Sequence, residues 1–322
     1  FVSSVFPFFY FIPLWLVCQV LLYRITMAEL KYADIFSQHI IDMYAVELKS
    51  NGLFQSNSDI QIVNGKQLKL PKLTVSGYQD HNRTTAGFNA GSYDNDYEVK
   101  VLDHDRDIEF AVDPMDVDET NMTVSIANIQ KRFETTQAIP ELDCYTFSKI
   151  FTEAQRVGAS VETTALTADN VLEDFDSKVQ LLEDAGVPMD RMEMYVTPAY
   201  NKLLKQAFQR QYPNGTGVID RRVHSIDDIG TIIVVPSARL KTKFNFTNGC
   251  AADETAGQIN YILIDPEAQV SRVKYSYINV FTPGHDSRTA DNYIYQNRRF
   301  NGTFALDALL KAGCAINYTA HA

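Results

Sequence analysis

The chain has 322 residues, of which 45% are hydrophobic, and this length suffices for one large domain or two modest ones with buried cores. It carries 29 basic and 40 acidic side chains, a net charge of −11, which argues against an unaided basic face for nucleic acid. The four cysteines, Cys18, Cys144, Cys250 and Cys314, are too few and too scattered for a disulfide scaffold or a paired-cysteine metal site.

An apolar leader opens the sequence and differs sharply in composition from everything after it. Residues 5–23 contain one polar side chain, Gln19, and no charge, so they are nearly long enough to cross a bilayer. Pro7 and Pro13 would interrupt a helix there, and no basic segment precedes the apolar run. A membrane anchor, an unusual signal peptide and upstream sequence translated ahead of a start at Met27 all fit. We favour the third interpretation and exclude residues 1–26 from the fold.

Residues 27–55 are predicted to form an N-terminal arm. Apolar side chains recur at helical spacing between Ile35 and Tyr44, and the pattern ends at Asn51-Gly52. A helix of this kind is amphipathic but has no core of its own. We therefore expect it to pack against another surface.

A β-hairpin is predicted next. Residues 60–63 and 67–70 alternate apolar and polar side chains around Asn64-Gly65, a strong turn dipeptide. A three-residue or bulged loop would gather the apolar side chains of both strands on one face. These side chains are Ile60, Ile62, Leu68 and Leu70. An isolated two-stranded ribbon is marginal in water, so we expect a partner surface in this chain or another. Residues 77–97 are expected to form a long, loosely structured loop.

Residues 99–113 alternate as one strand with an acidic face. The acids on that face are Asp103, Asp105, Asp107 and Glu109. Their spacing imitates the opening of a calcium loop, but Ile108 stands where a glycine is required and Pro114 where the bidentate glutamate belongs. We therefore interpret the run as a solvated strand face followed by acids at a helix start, and predict no metal site.

A long spine helix is predicted after Pro114. The acids of 116–119 are placed to cap free amides and to oppose the helix dipole. One apolar stripe then follows at helical spacing. Its members are Met122, Ile126, Ile129 and Phe133. Pro140 is expected to end or bend the helix, after which the stripe continues to Gly158. Roughly forty residues of nearly continuous helix indicate a structural spine.

The second half is predicted to alternate helices and strands. Thr167 is expected to cap a helix that Gly186 ends, and a short strand follows at 194–196. Thr197-Pro198 is an N-cap with proline at the first helical position and opens another helix. The remaining predicted segments are buried strands at 232–235 and 261–264 and mixed stretches at 270–281 and 293–316.

No motif in the sequence predicts catalysis. Nucleophile-elbow, phosphate-loop, dinucleotide and zinc-protease patterns are absent, and the six histidines are scattered. We therefore expect a protein that is not an enzyme and has no cofactor and no metal. The sequence also contains N-x-S/T triplets, which begin at Asn82, Asn121, Asn214, Asn245, Asn301 and Asn317. They leave a secreted glycoprotein or hydrolase open as an alternative of a different class.

Two segments of the sequence resemble a known family. Residues 105–120, DRDIEFAVDPMDVDET, continuing to IPELD at 139–143, resemble the central segment of tailed-bacteriophage major capsid proteins. NRTTAGFNAGS at 82–92 resembles the sequence that precedes that segment. The order of arm, hairpin loop, acidic strand, long helix and α/β region is also similar, and the resemblance covers about residues 27–318.

The resemblance implies an α+β chain with the HK97-like capsid fold. The implied parts are an N-terminal arm at 27–55, an extended β-hairpin loop at 56–103, a peripheral domain with the spine helix at 104–160, an axial α/β domain at 161–290, and strands at 291–322 that return to the peripheral domain. Arm and loop would lie over neighbouring subunits. The residues expected at subunit contacts are Ile60, Ile62, Leu68, Leu70, Arg83, Phe88, Arg106, Asp113, Asp116 and Glu119.

The function implied by the resemblance is that of a major capsid protein. Such a protein self-assembles into hexamers and pentamers that form an icosahedral phage head around packaged double-stranded DNA. The expected partners are further copies of the chain, a separate scaffolding protein, a portal protein and DNA bound without sequence specificity, with no membrane. The expected location is the virion, assembled in the host cytoplasm. An encapsulin-like shell protein is the alternative of the same fold.

Some members of the family join a lysine of the extended loop covalently to an asparagine of a neighbouring subunit. Lys66, Lys69 and Lys72 lie in the corresponding loop here. No feature of the sequence marks an acceptor or a catalytic acid, so we predict no cross-link.

Overall fold

The computed structural model of the chain describes residues 48–56, 67–81, 88–119, 125–211, 226, 229–284 and 291–321. The apolar leader, the predicted arm helix, the predicted strand at 60–63 and its Asn64-Gly65 turn lie outside these residues. Within the described part, no helix is both long enough and apolar enough to cross a membrane.

Strands and helices alternate through most of the described chain. The strands are β1 (Gln67–Val75), β2 (Tyr93–Val101), β3 (His104–Val112), β4 (Ser160–Glu162), β5 (Glu193–Val196), β6 (Thr231–Val234), β7 (Phe244–Asn245), β8 (Ala251–Ala252), β9 (Gln258–Ile264), β10 (Gln269–Phe281), β11 (Tyr293–Ala305) and β12 (Cys314–Thr319). The α-helices are α1 (Asn51–Gln55), α2 (Pro114–Glu119), α3 (Ile126–Phe133), α4 (Ile139–Val157), α5 (Val171–Asp184), α6 (Pro198–Gln211) and α7 (Asp307–Gly313).

A mixed five-stranded sheet forms the centre of the fold, in the order β4-β12-β9-β5-β6. The central strand β9 runs antiparallel to its neighbours β12 and β5. The edge strand β4 runs parallel to β12, and the edge strand β6 runs parallel to β5. Ile262 and Ile264 of β9 pack on the side of α4, whereas Tyr261 and Leu263 pack on the side of α5 and α6. Helices therefore cover both faces of the sheet, and the buried strand predicted at 261–264 is confirmed.

A strand is also present near the predicted 232–235, but the prediction that it is buried is wrong. Strand β6 lies at the edge of the sheet, where Ile232 and Ile233 are half-buried and Val234 is 37% exposed. Val235, which follows the strand, is fully buried. An edge strand has a neighbour on one side only, and an apolar run in the sequence does not distinguish it from a central strand.

A second, antiparallel sheet has the order β10-β11-β3. In β3 the side chains alternate as predicted, with His104 and Val112 buried and the acids exposed or half-exposed. The single strand predicted at 99–113 is nevertheless wrong, because it consists of two strands, β2 and β3, separated at 102–103. Leu102 is 2% exposed and packs in a small apolar cluster with Phe300 and Phe304, and this contact marks the break.

The spine helix runs continuously from α3 to α4, at 126–157, through one π-helical turn at Glu134–Ala138. Pro140 has no N–H for the carbonyl four residues earlier, and the helix passes through it with the π turn immediately before instead of ending. Gly158, with φ 71°, ends the helix as predicted. The predicted start is wrong: the acids of 116–119 belong to the separate helix α2, and Ser125 caps α3. Met122 lies outside the described residues.

The N-terminal caps of α5 and α6 differ in how well the sequence predicted them. Thr197 Oγ1 accepts a hydrogen bond from the Tyr200 amide at 3.3 Å, and Pro198 is the first residue of α6, as predicted. The cap of α5 was predicted at Thr167 but stands at Asn170, whose Oδ1 accepts from the Thr167 amide at 2.7 Å. Both residues favour caps, and the spacing alone did not decide between them.

The mixed stretch at 293–316 resolves into two strands that join different sheets. Strand β11 pairs with β3 over nine residues, whereas β12, after the short helix α7, pairs with β9 and β4 in the five-stranded sheet. The C-terminal part of the chain therefore connects the two sheets.

Candidate assembly surfaces

The hairpin of β1 and β2 presents an apolar face to solvent. The strands pair antiparallel from Gln67 opposite Val101 to Val75 opposite Tyr93. Residues directly opposite one another share a face, and alternate pairs lie on the same side. The apolar side chains on this face are Leu73, Val75, Tyr93, Val99 and Val101, between 48% and 80% exposed. This face is called the apolar hairpin face below. Its exposure to water is unfavourable, and an exposed apolar patch of this kind is typical of an interaction site.

The hairpin differs from the predicted one in its partner strand. Strand β1 extends the predicted 67–70 to Val75 and pairs with β2, so residues 93–97 belong to a strand and not to the predicted loop. The sequence of β2 starts with the polar run YDND, which gives no alternation signal. The backbones of Leu68 and Leu70 lie opposite Lys100 and Glu98, at the register positions of the other face. Their predicted pairing with Ile60 and Ile62 lies outside the described residues.

The tip of the hairpin carries two exposed aromatic rings. Phe88 is 98% exposed and Tyr78 is fully exposed. The tip is closed by a hydrogen bond from the Ser76 amide to the Ser92 carbonyl at 2.9 Å, next to the last pair of the ladder. Arg83 lies outside the described residues. Phe88 is therefore exposed to solvent, and its part in subunit contacts stays a prediction.

The base of the hairpin is tied to the body of the protein. Lys100 Nζ donates to Asp307 Oδ1 of α7 at 2.9 Å, and Arg156 of α4 also pairs with Asp307. Leu102 enters the apolar cluster of β10 and β11 directly after β2. The hairpin is thus fixed at one end, while the apolar hairpin face points into solvent.

The remaining predicted contact residues lie along β3 and α2. Arg106 Nε donates to Glu141 Oε1 of the spine helix at 2.7 Å. Asp113 is exposed and its Oδ1 accepts from the Met115 amide at 2.9 Å, which caps α2. Asp116 is exposed in the first turn of α2. Glu119 is the last residue of α2, and only its backbone is described. Their part in subunit contacts stays a prediction.

Asp105 of β3 and Asp103, just before it, form ion pairs with basic side chains of the same chain. Arg298 donates to both carboxylate oxygens of Asp105, at 3.0 and 2.7 Å. Asp103 accepts from Lys149 at 2.7 Å and from the Tyr145 hydroxyl at 2.5 Å. Burial acts to raise the pKa of Asp103, but these two hydrogen bonds outweigh it and hold the pKa below its usual value. No group of three or more His, Cys, Asp and Glu side chains that could hold a metal occurs in the described part of the chain.

An open groove of about 620 Å³ lies between β3, β11 and the spine helix. Two of its lining residues bind Glu134 of the π turn, which is fully buried: Arg299 donates to the Glu134 carboxylate at 3.0 Å and Asn297 donates to it at 2.7 Å. Burial raises the pKa of Glu134, against the pull of Arg299. Burial, and then the charge of Arg106, lower the pKa of His104 to about 4. Beside the groove, the bonds from Arg299 and Asn297 to Glu134 fasten the spine helix to β11.

Segment 48–56, the end of the predicted arm, packs on its own chain, which the sequence did not indicate. Leu53 is fully buried in the core beside α4, and Arg272 donates to the carbonyls of Phe54 and Ser56 at 2.6 and 2.7 Å. Asn51-Gly52 was predicted to end a helix, but Asn51 begins α1 instead. The residues that hold this segment are distant in sequence, and no local pattern reveals them.

Asp143 of the spine is the main polar anchor of that segment. Its carboxylate is fully buried and accepts from the Ser50 amide at 3.0 Å, the Ser50 hydroxyl at 2.8 Å and Arg239 at 2.9 Å. Burial raises the pKa of Asp143, while the bonds from Ser50 and Arg239 oppose that rise. One carboxylate thereby joins segment 48–56, the spine helix and the chain after β6.

Two of the N-x-S/T triplets begin at buried asparagines. Asn301 in β11 is 5% exposed and Asn317 in β12 is fully buried. A glycan cannot be accommodated at either position without unfolding the sheet that contains it. Asn245 of β7 is exposed, and Asn82, Asn121 and Asn214 lie outside the described residues.

Comparison with known proteins bears on the fold. No family model matches the chain, and no curated protein matches its sequence. Solved structures do match, among them the capsid structure of the cyanophage P-SCSP1u, at 13% identity and a TM-score of 0.56 over 81% of this chain and 85% of that one. The asymmetric unit of the mature capsid of bacteriophage PhiM1 matches at 12% identity and a TM-score of 0.58, over 80% and 83% of the two chains.

A structure from Gordonia phage Cozz matches at 13% identity and a TM-score of 0.56, over 84% of this chain and 85% of that one. At such identities the likeness concerns the fold and not the residues. The predicted fold class is confirmed: the chain has the α+β, HK97-like fold that it shares with these phage capsid structures.

Proposed function

We propose that the chain is a major capsid protein, which self-assembles into hexamers and pentamers that form the icosahedral head of a tailed phage around double-stranded DNA. The observation that carries the proposal is the apolar hairpin face, exposed on a fold shared with phage capsid structures. Apolar surface of this kind is stabilised when another surface covers it. A second copy of the chain is the proposed cover, because a closed shell places each subunit beside identical neighbours.

The parts of the proposed subunit follow the chain. The proposed boundaries are the arm at 27–55, the extended loop at 56–103, the peripheral domain at 104–160, the axial domain at 161–290 and the returning strands at 291–322. Strand β12 pairs with β9 of the proposed axial domain in the five-stranded sheet. The returning strands at 291–322 would therefore contribute to the axial domain as well as to the peripheral domain. Hairpin residues such as Phe88 would then contact the neighbouring subunit, together with the predicted residues of β3 and α2.

The proposed partners follow from the net charge of the chain and from the proposed role of the shell, which is to enclose DNA. A net charge of −11 favours weak, non-specific contact with packaged DNA, and a container does not need to read sequence. We propose a separate scaffolding protein and a portal protein as further partners. The proposed location is the virion, with assembly in the host cytoplasm and no enzymatic step.

The test compares two double variants of the full chain, expressed alone and with a candidate scaffolding protein. Leu73→Ser with Val75→Ser removes apolar area from the apolar hairpin face. Thr74→Ser with Asp94→Ser changes the opposite face of the same hairpin, where both side chains are also exposed.

Sedimentation and electron microscopy should show rings or shells for the wild-type chain and for the Thr74/Asp94 variant. The Leu73/Val75 variant should remain unassembled with an unchanged circular dichroism spectrum. A wild-type chain that stays monomeric under all conditions would overturn the proposed function. Normal shells from the Leu73/Val75 variant would remove the hairpin face from the assembly contacts.

A further inference from the structure

Three Asn-Gly dipeptides in the described part of the chain differ sharply in their surroundings. They begin at Asn51, Asn248 and Asn301. In an Asn-Gly dipeptide the asparagine side chain can react with the next backbone amide, because glycine has no side chain that shields this amide. The reaction closes a succinimide ring and ends with a carboxyl group in place of the side-chain amide. The structure allows the three positions to be compared as sites of this modification.

Asn248 lies in the loop between β7 and β8, where it is exposed and lines the open groove beside the spine helix. Gly249 has a φ of 72°, and apart from its chain neighbours only the Gln137 side-chain oxygen lies within 4 Å of a Cβ placed on it. Within the described residues, neither the Gly249 amide nor the Asn248 side chain forms a hydrogen bond. The attacking nitrogen and the carbon that it attacks are therefore adjacent, unrestrained and accessible to water.

The rest of the loop is held on both sides of this dipeptide. Phe246 packs edge-on against the His104 ring at 5.2 Å and the Tyr145 ring at 6.1 Å between centroids. The Thr247 amide donates to Asn245 Oδ1 at 2.9 Å, and β7 and β8 pair on either side of the loop. The freedom of Asn248 and Gly249 is thus local, and the loop does not need to unfold for them to react.

The dipeptide at Asn301 is enclosed by the sheet. Asn301 is 5% exposed in β11, and Gly302 stands opposite Arg272 in the ladder with β10. A Cβ placed on Gly302 would lie 2.7 Å from a methyl carbon of Leu102. The Asn301 side chain has no space to turn onto the Gly302 amide, and water has little access to the position.

The dipeptide at Asn51 is restrained by a helix. Asn51 is half-buried at the start of α1, and Gly52 packs against the Glu193 side chain, whose Cδ would lie 2.7 Å from a Cβ on Gly52. The helical backbone fixes the Gly52 amide relative to the asparagine side chain. A carboxylate beside the amide also disfavours the negative charge that develops when the amide loses its proton.

We propose that Asn248 is a site of spontaneous deamidation, where asparagine becomes aspartate or isoaspartate while Asn51 and Asn301 stay intact. The proposal does not rest on the proposed function. The new carboxylate stands on a groove wall that already includes Asp107 and Glu141, and it makes the net charge one unit more negative than −11. The groove therefore becomes more acidic as the protein ages.

The chemistry balances with water as the only co-reactant. The Gly249 backbone nitrogen loses its proton to solvent and attacks the side-chain carbonyl carbon of Asn248. A new C–N bond forms, the bond from that carbon to the side-chain nitrogen breaks, and ammonia leaves with a proton from water. Water then opens the succinimide ring. Cleavage at the side-chain carbonyl gives aspartate, whereas cleavage at the backbone carbonyl gives isoaspartate.

The experiment follows the purified full chain during incubation at neutral and at alkaline pH. Peptide mapping by mass spectrometry measures the carboxyl product at each dipeptide, and an isoaspartyl methyltransferase with labelled S-adenosylmethionine detects isoaspartate. We expect Asn248 to react at least roughly tenfold faster than Asn51 and Asn301, a ratio that corresponds to a barrier lower by about 1.4 kcal/mol. The rate should rise with pH, because the Gly249 amide must lose its proton.

The chain denatured in guanidinium chloride is the control for the effect of the fold. There the three dipeptides should react at similar rates, because the differences between them come from the folded structure. An Asn248 that reacts when denatured but stays intact in the folded chain would overturn the proposal. Reaction of Asn301 or Asn51 as fast as that of Asn248 in the folded chain would overturn it as well.

Two variants at exposed positions of the loop complete the test. Asn248→Gln retains an amide but would have to close a six-membered ring, which forms far more slowly, so the carboxyl product at this position should disappear. Thr247→Ser changes the preceding residue and leaves the dipeptide in place, so its rate should match that of the wild-type chain. Persistent methyltransferase labelling of the loop peptide in Asn248→Gln would place the reaction at another residue and overturn the proposal.

Discussion

The hairpin of β1 and β2 and the segment 48–56 differ in what holds them in place. In the hairpin, backbone pairing spans nine residues of each strand, yet Leu73 is 67% exposed. In segment 48–56, three side chains from two distant parts of the chain, the spine helix and β10, bind backbone amides and carbonyls, and Leu53 is fully buried. Backbone pairing therefore gives a segment its shape, whereas buried side-chain contacts attach it to the body. The hairpin is free to be covered by something else, and segment 48–56 is not.

Removing the anchor of segment 48–56 should have the largest effect. Asp143→Ala leaves the buried Ser50 amide and the partly buried Arg239 guanidinium without their acceptor. Truncating one partner of a buried ion pair typically costs about 3–5 kcal/mol, so we expect a loss of that size in the free energy of unfolding. Chemical denaturation of the purified full chain measures it, and hydrogen exchange should show increased exchange of the backbone amides at 48–56.

A surface ion pair of the same chemistry is the control. Asp105 also binds an arginine, Arg298, through two hydrogen bonds, but Arg298 is half exposed. Exposed pairs contribute about 0–1 kcal/mol, so Asp105→Ala should change stability by no more than that. Equal losses in the two variants would show that Asp143 does not attach segment 48–56 more firmly than a surface contact would.

The sequence predicted those elements whose signals are local. The apolar stripe from Ile126 predicted the spine helix, Thr197-Pro198 predicted the start of α6, and Gly158 predicted the end of α4, because propensity, capping and φ are decided within a few residues. The fold class was predicted from the resemblance of short sequence segments to phage capsid proteins. The spacing of apolar residues alone could not have predicted it.

The errors arise where distant contacts decide. No glycine or proline marks the break between β2 and β3. The break depends on the contact of Leu102 with Phe300 and Phe304, which lie about 200 residues later in the sequence. The burial of segment 48–56 depends on Asp143 and Arg272, and the edge position of β6 depends on sheet order. Of the predicted contact residues, the structure exposes Phe88, whereas it pairs Arg106 with a residue of the same chain.

Acid should weaken the body of the protein through His104. The unfolded chain binds a proton near pH 6.5, whereas the pKa of about 4 keeps the folded His104 neutral until lower pH. Stability should therefore fall as the pH drops from about 6.5 to 4, by up to about 3 kcal/mol. The groups around the imidazole are Arg106, Asp103, Asp105 and the Glu141 carboxylate, 3.5 Å away, which already pairs with Arg106.

His104→Phe is the matched variant for that measurement. It retains a ring against Tyr145 and Phe246 but has no proton to bind. Thermal unfolding between pH 7.5 and 4 should show a smaller decline for this variant than for the wild-type chain. Parallel pH profiles would mean that His104 is not the group responsible, and the hairpin ladder should remain protected from exchange in both proteins.

The smallest effect on stability should come from the apolar hairpin face itself, and this makes it the most discriminating prediction. In the unassembled chain, Leu73→Ser with Val75→Ser removes side chains that are 67% and 66% exposed, so the free energy of unfolding should change by about 0.5 kcal/mol or less. Denaturant titration of the unassembled protein measures this change. A loss above about 1.5 kcal/mol would mean that the face is covered by its own chain, because that cost requires burial in the wild-type protein. If the free energy of unfolding stays nearly unchanged and assembly fails, the lost contact lies between subunits. The side chains would then be unnecessary for folding but necessary for assembly, because another copy of the chain covers them.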